Sequence, residues 1–352
     1  MCRTTKATKA AKVISNPVEA LVNPTLNFLF RTKSIPILWI AALASIFAAP
    51  SLAWNTDVHQ QIAFAAEEFL TPLTRIILTQ LLEPEYKGSL GQVAAWPDRY
   101  RKTPEGAYTE TWHYIDPADD PPAYCNVYPN RDNTLKGSIV SAYTNQTQIL
   151  KNCIRQAKIG KIRHGEDATC AAAVKFIAHF TGDIAQPLHV SGIAAGGNFF
   201  PVNFNGATTN LHAVWDGAII YQLAGVKSFN NDTLQPFFKK VVSRIRQDNF
   251  FVPTADWVSC TDPGRPEGCA LTWARDTNEW TCDYVYSQYF NATDIATSGY
   301  AEGAYPIVEI QVAKAALRMA TWFNRLVDGL YKEREVITRL NPSWIGGPAA
   351  GA

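Results

Sequence analysis

Five of the six histidines in this chain stand beside a carboxylate or a second histidine at spacings suited to holding one metal ion. His179 and Asp183 are four residues apart in a segment of helical periodicity, so their side chains leave the same face. His212 and Asp216 repeat the arrangement, and His189 lies between the two pairs, just past Gln186-Pro187-Leu188. Zinc takes neutral imidazole and carboxylate, and an i, i+4 pair gives it two ligands without backbone strain. One pair alone reads equally as an ion pair on a helix surface. Two pairs with a histidine between them point to metal chemistry. His59 is five residues after Trp54. In a mature chain that began at Trp54, the α-amine, with an ordinary pKa of about 7.7–8.0, would give up its proton to a metal easily and could chelate together with its own carbonyl oxygen. His113 lies in Thr111-Trp-His-Tyr-Ile-Asp116 and Asp98 in Ala95-Trp-Pro-Asp-Arg-Tyr-Arg101, neither distinctive alone.

The elements that must position these side chains read mostly as helices. Val58, Ile62, Ala65 and Phe69 form an apolar stripe that Pro72 stops. Ala172, Phe176, His179 and Asp183 do the same before Pro187, and Val308, Val312, Ala316, Met319, Phe323 and Leu326 mark a long late helix. Alternating strand patterns are scarce; Asn198 to Phe204 is the best hairpin arm. The expected fold is all-α, a single compact multi-helix domain over 54–330 with a minor short β-hairpin. Residues 331–352 form a C-terminal extension whose last residues, Ser343 to Ala352, are small and Gly/Pro-rich.

Residues 1–34 carry six Lys or Arg against one acid, followed by the apolar stretch Ile35 to Ala49 and the small residues of Pro50-Ser51-Leu52-Ala53. That is the pattern of a signal peptide cut between Ala53 and Trp54; the alternative is an uncleaved anchor. Removing it turns a precursor of formal charge +1 into a mature chain near −4, with 26 basic and 30 acidic residues. Such a balance excludes bulk electrostatic gripping of nucleic acid. With 47% apolar, 12% aromatic and 18% charged residues the chain is not disordered either. No apolar run in the main body is long enough to span a bilayer. Six cysteines remain, an even number suited to an oxidising compartment. Cys153 and Cys170 bracket a Lys/Arg-rich loop, Cys260 and Cys269 bracket a Pro/Gly-rich one, and Cys125 and Cys282 are left as a long-range pair, among the fifteen pairings that six cysteines allow. Sequons at Asn145, Asn231 and Asn291 agree with secretion.

Taken together, the motifs Trp54-Asn-Thr-Asp-Val-His59, Trp96-Pro-Asp98-Arg-Tyr-Arg101, His113-Tyr-Ile-Asp116, His179-Phe-Thr-Gly-Asp183-Ile-Ala-Gln-Pro-Leu-His189, Gly196-Gly-Asn198 and Asn210-Leu-His212-Ala-Val-Trp-Asp216 resemble the zinc-dependent S1/P1 nucleases, of the wider phospholipase C/P1 nuclease superfamily. The resemblance covers about Trp54 to Leu330. It implies a secreted hydrolase of phosphodiester bonds in single-stranded DNA and RNA, acting as a monomer, leaving 5′-phosphate products and also attacking 3′-mononucleotides. It implies a cleft with three zinc ions. The first is expected on Asp98, His113, His179 and Asp183, and the second on His189, His212 and Asp216. The third is expected on the Trp54 amine and carbonyl with His59, bridged to the first by Asp183. Asp98 is also implied to orient the attacking water and Arg101 to contact the scissile phosphate, with Asp183 the third residue counted in the catalytic set. Tyr114 would stack on a base, Asp116 would bond the base edge, and Gly196, Gly197 and Asn198 would line that pocket.

Cys125 and Cys282 match a family disulfide, whereas Cys153–Cys170 and Cys260–Cys269 would be particular to this chain. The family's short-loop second disulfide has no counterpart, because Asn126 to Thr134 contains no cysteine. Val190-Ser191 stands where some members have acids, and Tyr114 where most have Phe. Two other readings fit the same residues: a zinc phospholipase C, and a secreted metal-binding protein without activity.

Overall fold

Local sequence decides where each helix starts. Asn55 accepts a hydrogen bond from the Val58 amide and so opens α1, Thr56–Glu67. Thr71 with Pro72 opens α2, Pro72–Leu81, which is why α1 stops before Phe69, two residues short of its apolar stripe. Asp167 accepts from the Cys170 amide and opens the later helix Ala168–Asp183. The structure is a computed structural model that describes residues 54–162, 164–226, 231–288 and 293–340, with the side chains at 231, 232 and 330–340 outside the description. The expected leader (1–53), most of the C-terminal extension, Asn291 and the side chain of Asn231 therefore lie outside the described residues. Asn145 is exposed on a helix.

After α2 the chain runs through α3, Trp96–Tyr100, and a 3-10 turn, Ala107–His113. Then come α4, Ile139–Lys158, and α5, Ala168–Asp183. A 3-10 turn, Pro187–Val190, leads to the hairpin β1, Pro201–Phe204, and β2, Ala207–Asn210. The next helix, α6, starts at Leu211–Ala213, widens into a π-turn over Val214–Ala218 and resumes over Ile219–Ala224. Then follow α7, Asn231–Arg246, α8, Pro266–Trp280, a second π-turn, Thr281–Val285, and α9, Tyr300–Leu340. Short helical turns at Leu90–Val93, Pro129–Asp132 and Thr254–Trp257 fill the connections. The fold is all-α with one small hairpin.

The hairpin pairs Pro201 with Asn210 and Phe204 with Ala207. Its turn is Asn205-Gly206, both with positive φ (53° and 76°), the two-residue turn whose twist suits a hairpin. Asn198 to Phe200, expected in the strand, belong instead to the preceding loop.

Helix α5 is apolar on almost every face, and from Ala173 to Asp183 every residue is buried. It packs against α1, α2, α4 and α9, with its C-terminal end delivering His179 and Asp183 to the interior. Beside it Tyr143, Trp273 and Trp322 meet edge-to-face at 5.0–5.7 Å. Such contacts add about 0.5–1.5 kcal/mol each beyond their buried area. The stripe of α9 is buried as its periodicity requires.

Cys125 is bonded to Cys282, and Cys153 to Cys170. The second bond ties the end of α4 to the start of α5. The expected third bond is not formed: the sulfurs of Cys260 and Cys269 are 3.2 Å apart, beyond the S–S length of about 2.05 Å. Burial pushes the Cys269 thiol up to about 12, so the thiolate that would attack a disulfide is scarce. Two disulfides fit folding in an oxidising compartment. Among the described residues no helix is long and apolar enough to cross a membrane.

Candidate metal centre

The end of α5 is the hub of the site. His179 and Asp183 face one another across a helical turn, with Nε2 3.1 Å from Oδ2. Helix α1 brings His59 to the other carboxylate oxygen, Nε2 to Oδ1, 3.0 Å. The 3-10 turn Ala107–His113 ends by placing His113 Nδ1 3.2 Å from Asp183 Oδ2 and 2.9 Å from His179 Nε2. Helix α3 supplies Asp98, whose Oδ1 is 3.7 Å from both the His113 and His179 nitrogens and 3.1 Å from the Arg101 guanidinium one turn on. A second group forms around the start of α6. His212 Nε2 lies 3.1 Å from His189 Nε2 and 3.3 Å from Asp216 Oδ2, and His189 Nδ1 lies 3.7 Å from Asp183 Oδ1.

These residues fit a cation. Two ligands at about 2.0–2.1 Å from a tetrahedral zinc ion lie about 3.3 Å apart, and the distances above run from 2.9 to 3.7 Å. Three groups, His59/Asp98/His179, His113/His179/Asp183 and His189/His212/Asp216, the first two sharing His179, each bring their ligand atoms within 4.8 Å of one another, and all are buried. Both oxygens of Asp98, both of Asp183, His59 Nε2 and His113 Nε2 are buried and, beyond the ion-pair contacts given above, find no hydrogen-bond partner among the described residues. Anionic oxygens left so are expensive unless a positive charge sits among them.

The protonation states suit a metal as well. Burial holds His59, His189, His113 (about 4) and His212 (about 3) below the ordinary imidazole value, hence neutral. Burial opposes the charge on Asp183, yet the rings of His179, His189 and His59 hold its carboxyl well below the ordinary range. The same contest leaves Asp98 low, and the two carboxylates raise His179 against its burial. Neutral imidazole and ionised carboxylate are the ligand forms that zinc takes; four of the rings already favour the neutral form, whereas His179 gives up a proton when a cation replaces it as the carboxylates' partner.

Backbone carbonyls aim the rings. Ala94 O lies 2.7 Å from His179 Nδ1, His113 O 2.7 Å from His189 Nδ1, and Gly196 O 2.6 Å from His212 Nδ1. A carbonyl fixes the proton on Nδ1 and turns the bare Nε2 inward. Gln186, fully buried, donates from its amide to Asp216 Oδ1 at 2.6 Å and accepts the Leu188 amide with its carbonyl. None of these partners was assigned from sequence, although Gln186 stands inside the His179–His189 motif.

Trp54 is fully buried, its indole donating to Gly182 O at 2.9 Å. A Cβ on Gly182 would meet His59 Nδ1 at 2.9 Å and Trp54 Cδ1 at 3.8 Å, so the two side chains share one glycine. The next residue is tied down through Asn55 N to Asp216 O, 3.0 Å. Tyr114 is half-buried in extended backbone just after His113. Asp116 has open surface, but protein crowding on its inner side pushes its carboxyl up to about 6. The loop after Ser191 abuts Asp116: a Cβ on Gly192 would fall 2.6 Å from Pro117 O and 3.6 Å from Asp116 Cβ. Ala194, Ala195, Gly196 and Gly197 then all have φ between 50° and 79°. Two alanines in this region cost about 1–2 kcal/mol each. The turn they make delivers Gly196 O and Asn198 Nδ2 to His212 Nδ1, the latter at 3.2 Å. His164, the sixth histidine, is exposed in the loop before α5 and outside the cluster.

A family profile described as S1/P1 Nuclease matches residues 54–328. The chain belongs to the S1/P1 nuclease family. It is 30% identical to Nuclease S1 of Aspergillus oryzae over 291 residues, covering 82% of this chain and 96% of that protein. It is 29% identical to Nuclease P1 of Penicillium citrinum, covering 78% and 97%. Among solved structures, a Clostridium perfringens alpha-toxin matches with a TM-score of 0.39 and 12% identity, covering 81% of this chain and 65% of that one.

Proposed function

We propose that this chain is a secreted, zinc-dependent endonuclease that hydrolyses phosphodiester bonds of single-stranded DNA and RNA to 5′-phosphate products and also acts on 3′-mononucleotides. The observation that carries the reading is the buried His/Asp cluster, whose carboxylate oxygens at Asp98 and Asp183 find no hydrogen-bond partner beyond those ion-pair contacts, while Arg101 stands against its edge. The mature chain is taken to begin at Trp54 and to act as a monomer, with the nuclease domain over 54–330.

Asp98, His113, His179 and Asp183 would hold one zinc ion, and His189, His212 and Asp216 a second. His59 with the Trp54 amine and carbonyl would hold a third, with Asp183 shared. When bound, zinc supplies Lewis acidity, making water acidic enough to be a nucleophile near neutral pH and neutralising charge on phosphoryl oxygens. Arg101 donates charge-assisted hydrogen bonds to those oxygens. A carboxylate oxygen of Asp98 accepts the hydrogen bond that aims the attacking water. The water oxygen bonds to phosphorus as the P–O3′ bond breaks; the electron pair leaves with O3′, which takes up a proton from solvent, and the proton lost by the water passes to solvent. Tyr114 stacks on the base of the nucleotide that keeps O3′, and Asp116 bonds its edge. A base must be unpaired and turned outward to enter such a pocket, which a duplex resists by a few kcal/mol.

The test is to sequence the N-terminus of the secreted protein, count its zinc, and measure cleavage of single-stranded DNA before and after chelation. A start at Trp54, three ions, and activity lost with the metal and restored by zinc support the reading. Activity that survives complete removal of metal refutes it.

A further inference from the structure

The loop from Gly192 to Phe199 spans the space between Asp116 and His212, and it ends in an aromatic ring that the fold leaves in water. Phe199 is 73% exposed. A solitary exposed apolar side chain is ordinary on a protein surface; what distinguishes this one is its place and its footing. Its neighbour Asn198 reaches His212 through Nδ2 at 3.2 Å, so Phe199 sits at the lip of the His189/His212/Asp216 group. Its backbone is pinned: its own amide donates to Ala194 O (3.0 Å), the Asn198 amide to Ala195 O (3.2 Å) and the Phe200 amide to Gly197 O (3.1 Å). Phe200 turns inward, its ring 6.1 Å from that of Tyr286. Tyr286 in turn donates to Ile193 O at 3.2 Å, holding the loop from below.

We propose that Phe199 is a second stacking platform, for the base adjacent to the one seated on Tyr114, on the side away from the scissile phosphate. This rests on the nuclease reading above. The loop begins against Asp116, where Gly192 meets Pro117 and Asp116, and ends at His212 through Asn198, so a strand whose base enters the Asp116 pocket passes this loop as it leaves. A ring there offers any base a π-face, which suits binding without sequence preference. Because the backbone beneath it is already ordered, stacking restricts little more than one side chain.

The test uses the zinc-loaded mature enzyme and two substrates: a dinucleoside monophosphate, which has no base upstream of the pocket, and a single-stranded oligonucleotide, which has several. Phe199→Ala is expected to raise KM for the oligonucleotide about tenfold with kcat unchanged. KM for the dinucleoside monophosphate stays within about twofold of wild type, and Phe199→Trp restores the oligonucleotide value. Zinc content and melting temperature stay unchanged, because most of the ring is in water. An unchanged oligonucleotide KM in Phe199→Ala, or a parallel rise for both substrates, overturns the proposal. A wild-type enzyme that cleaves neither substrate overturns the nuclease reading instead.

Discussion

Gln186→Leu removes one side chain that holds two ligands of the same metal group. The Gln186 amide donates to Asp216 Oδ1, and its carbonyl caps the turn Pro187–Val190 that carries His189. Leucine keeps the volume and loses both bonds, and no water replaces them because the position is fully buried. Loss of such an outer partner costs about 10- to 100-fold in metal affinity, or about 1.4–2.7 kcal/mol. The Leu188 amide, also buried, loses its acceptor, which costs about 1–3 kcal/mol of folding stability and lowers the melting temperature by roughly 2–10 °C. Gln186 makes no hydrogen bond to the His59, Asp98, His113, His179 or Asp183 side chains, so one zinc ion should weaken and two should not. The assay is zinc content in buffers of graded free zinc. Wild type is expected to hold three ions at a free zinc level where the variant holds two, and the variant should recover the third at about 10- to 100-fold higher zinc. Three ions lost at the same free zinc in both proteins, or all three weakened together, would refute the reasoning.

In metal-free protein Asp116→Asn should raise the melting temperature above about pH 6 and leave it unchanged below pH 4, because burial makes the charged carboxyl the costly form and the folded state sheds stability as pH rises through that window; a gain equal at both ends contradicts this cause. Opening the Cys153–Cys170 bond by a double serine substitution frees a link across 17 residues and should cost about 3 kcal/mol in denaturant unfolding, with zinc content intact. Gly196→Ala places a Cβ 2.4 Å from Leu188 O at a φ of +62°, and should lower both melting temperature and the zinc held by His212, whereas an unperturbed variant would mean that the loop can move aside. A residue left in front of Trp54 converts its amine to an amide and should leave mature protein one zinc ion short by metal analysis.

What could be seen in the sequence was what local spacing encodes. His179/Asp183 and His212/Asp216 announce a shared face because a helix repeats every 3.6 residues, and the structure seats both pairs inside the cluster. His59, His113 and Asp98 came through their motifs, since nothing in their own neighbourhoods fixes their contacts across the fold. The carbonyls of Ala94, His113 and Gly196 were out of reach, because a peptide oxygen has no sequence signature and its partner is chosen by tertiary packing. The left-handed Ala194 and Ala195 were hidden for a related reason: alanine does not favour that region, and only the surrounding loop imposes it. The Cys260–Cys269 pairing shows the reverse error, where nearness in sequence does bring the sulfurs together but not into a bond.

Helix α6 breaks its own regularity at Val214–Ala218, the turn that carries Asp216. A π-turn holds one residue more than the α-turn it interrupts and is rarely found without a use. Deleting a single residue would mend the helix, and the mended helix would be the easier one to fold. It would also shift the register of Asp216 against His212, whose Nε2 now lies 3.3 Å from Asp216 Oδ2. The irregularity thus gives up helical regularity for the placement of one carboxylate.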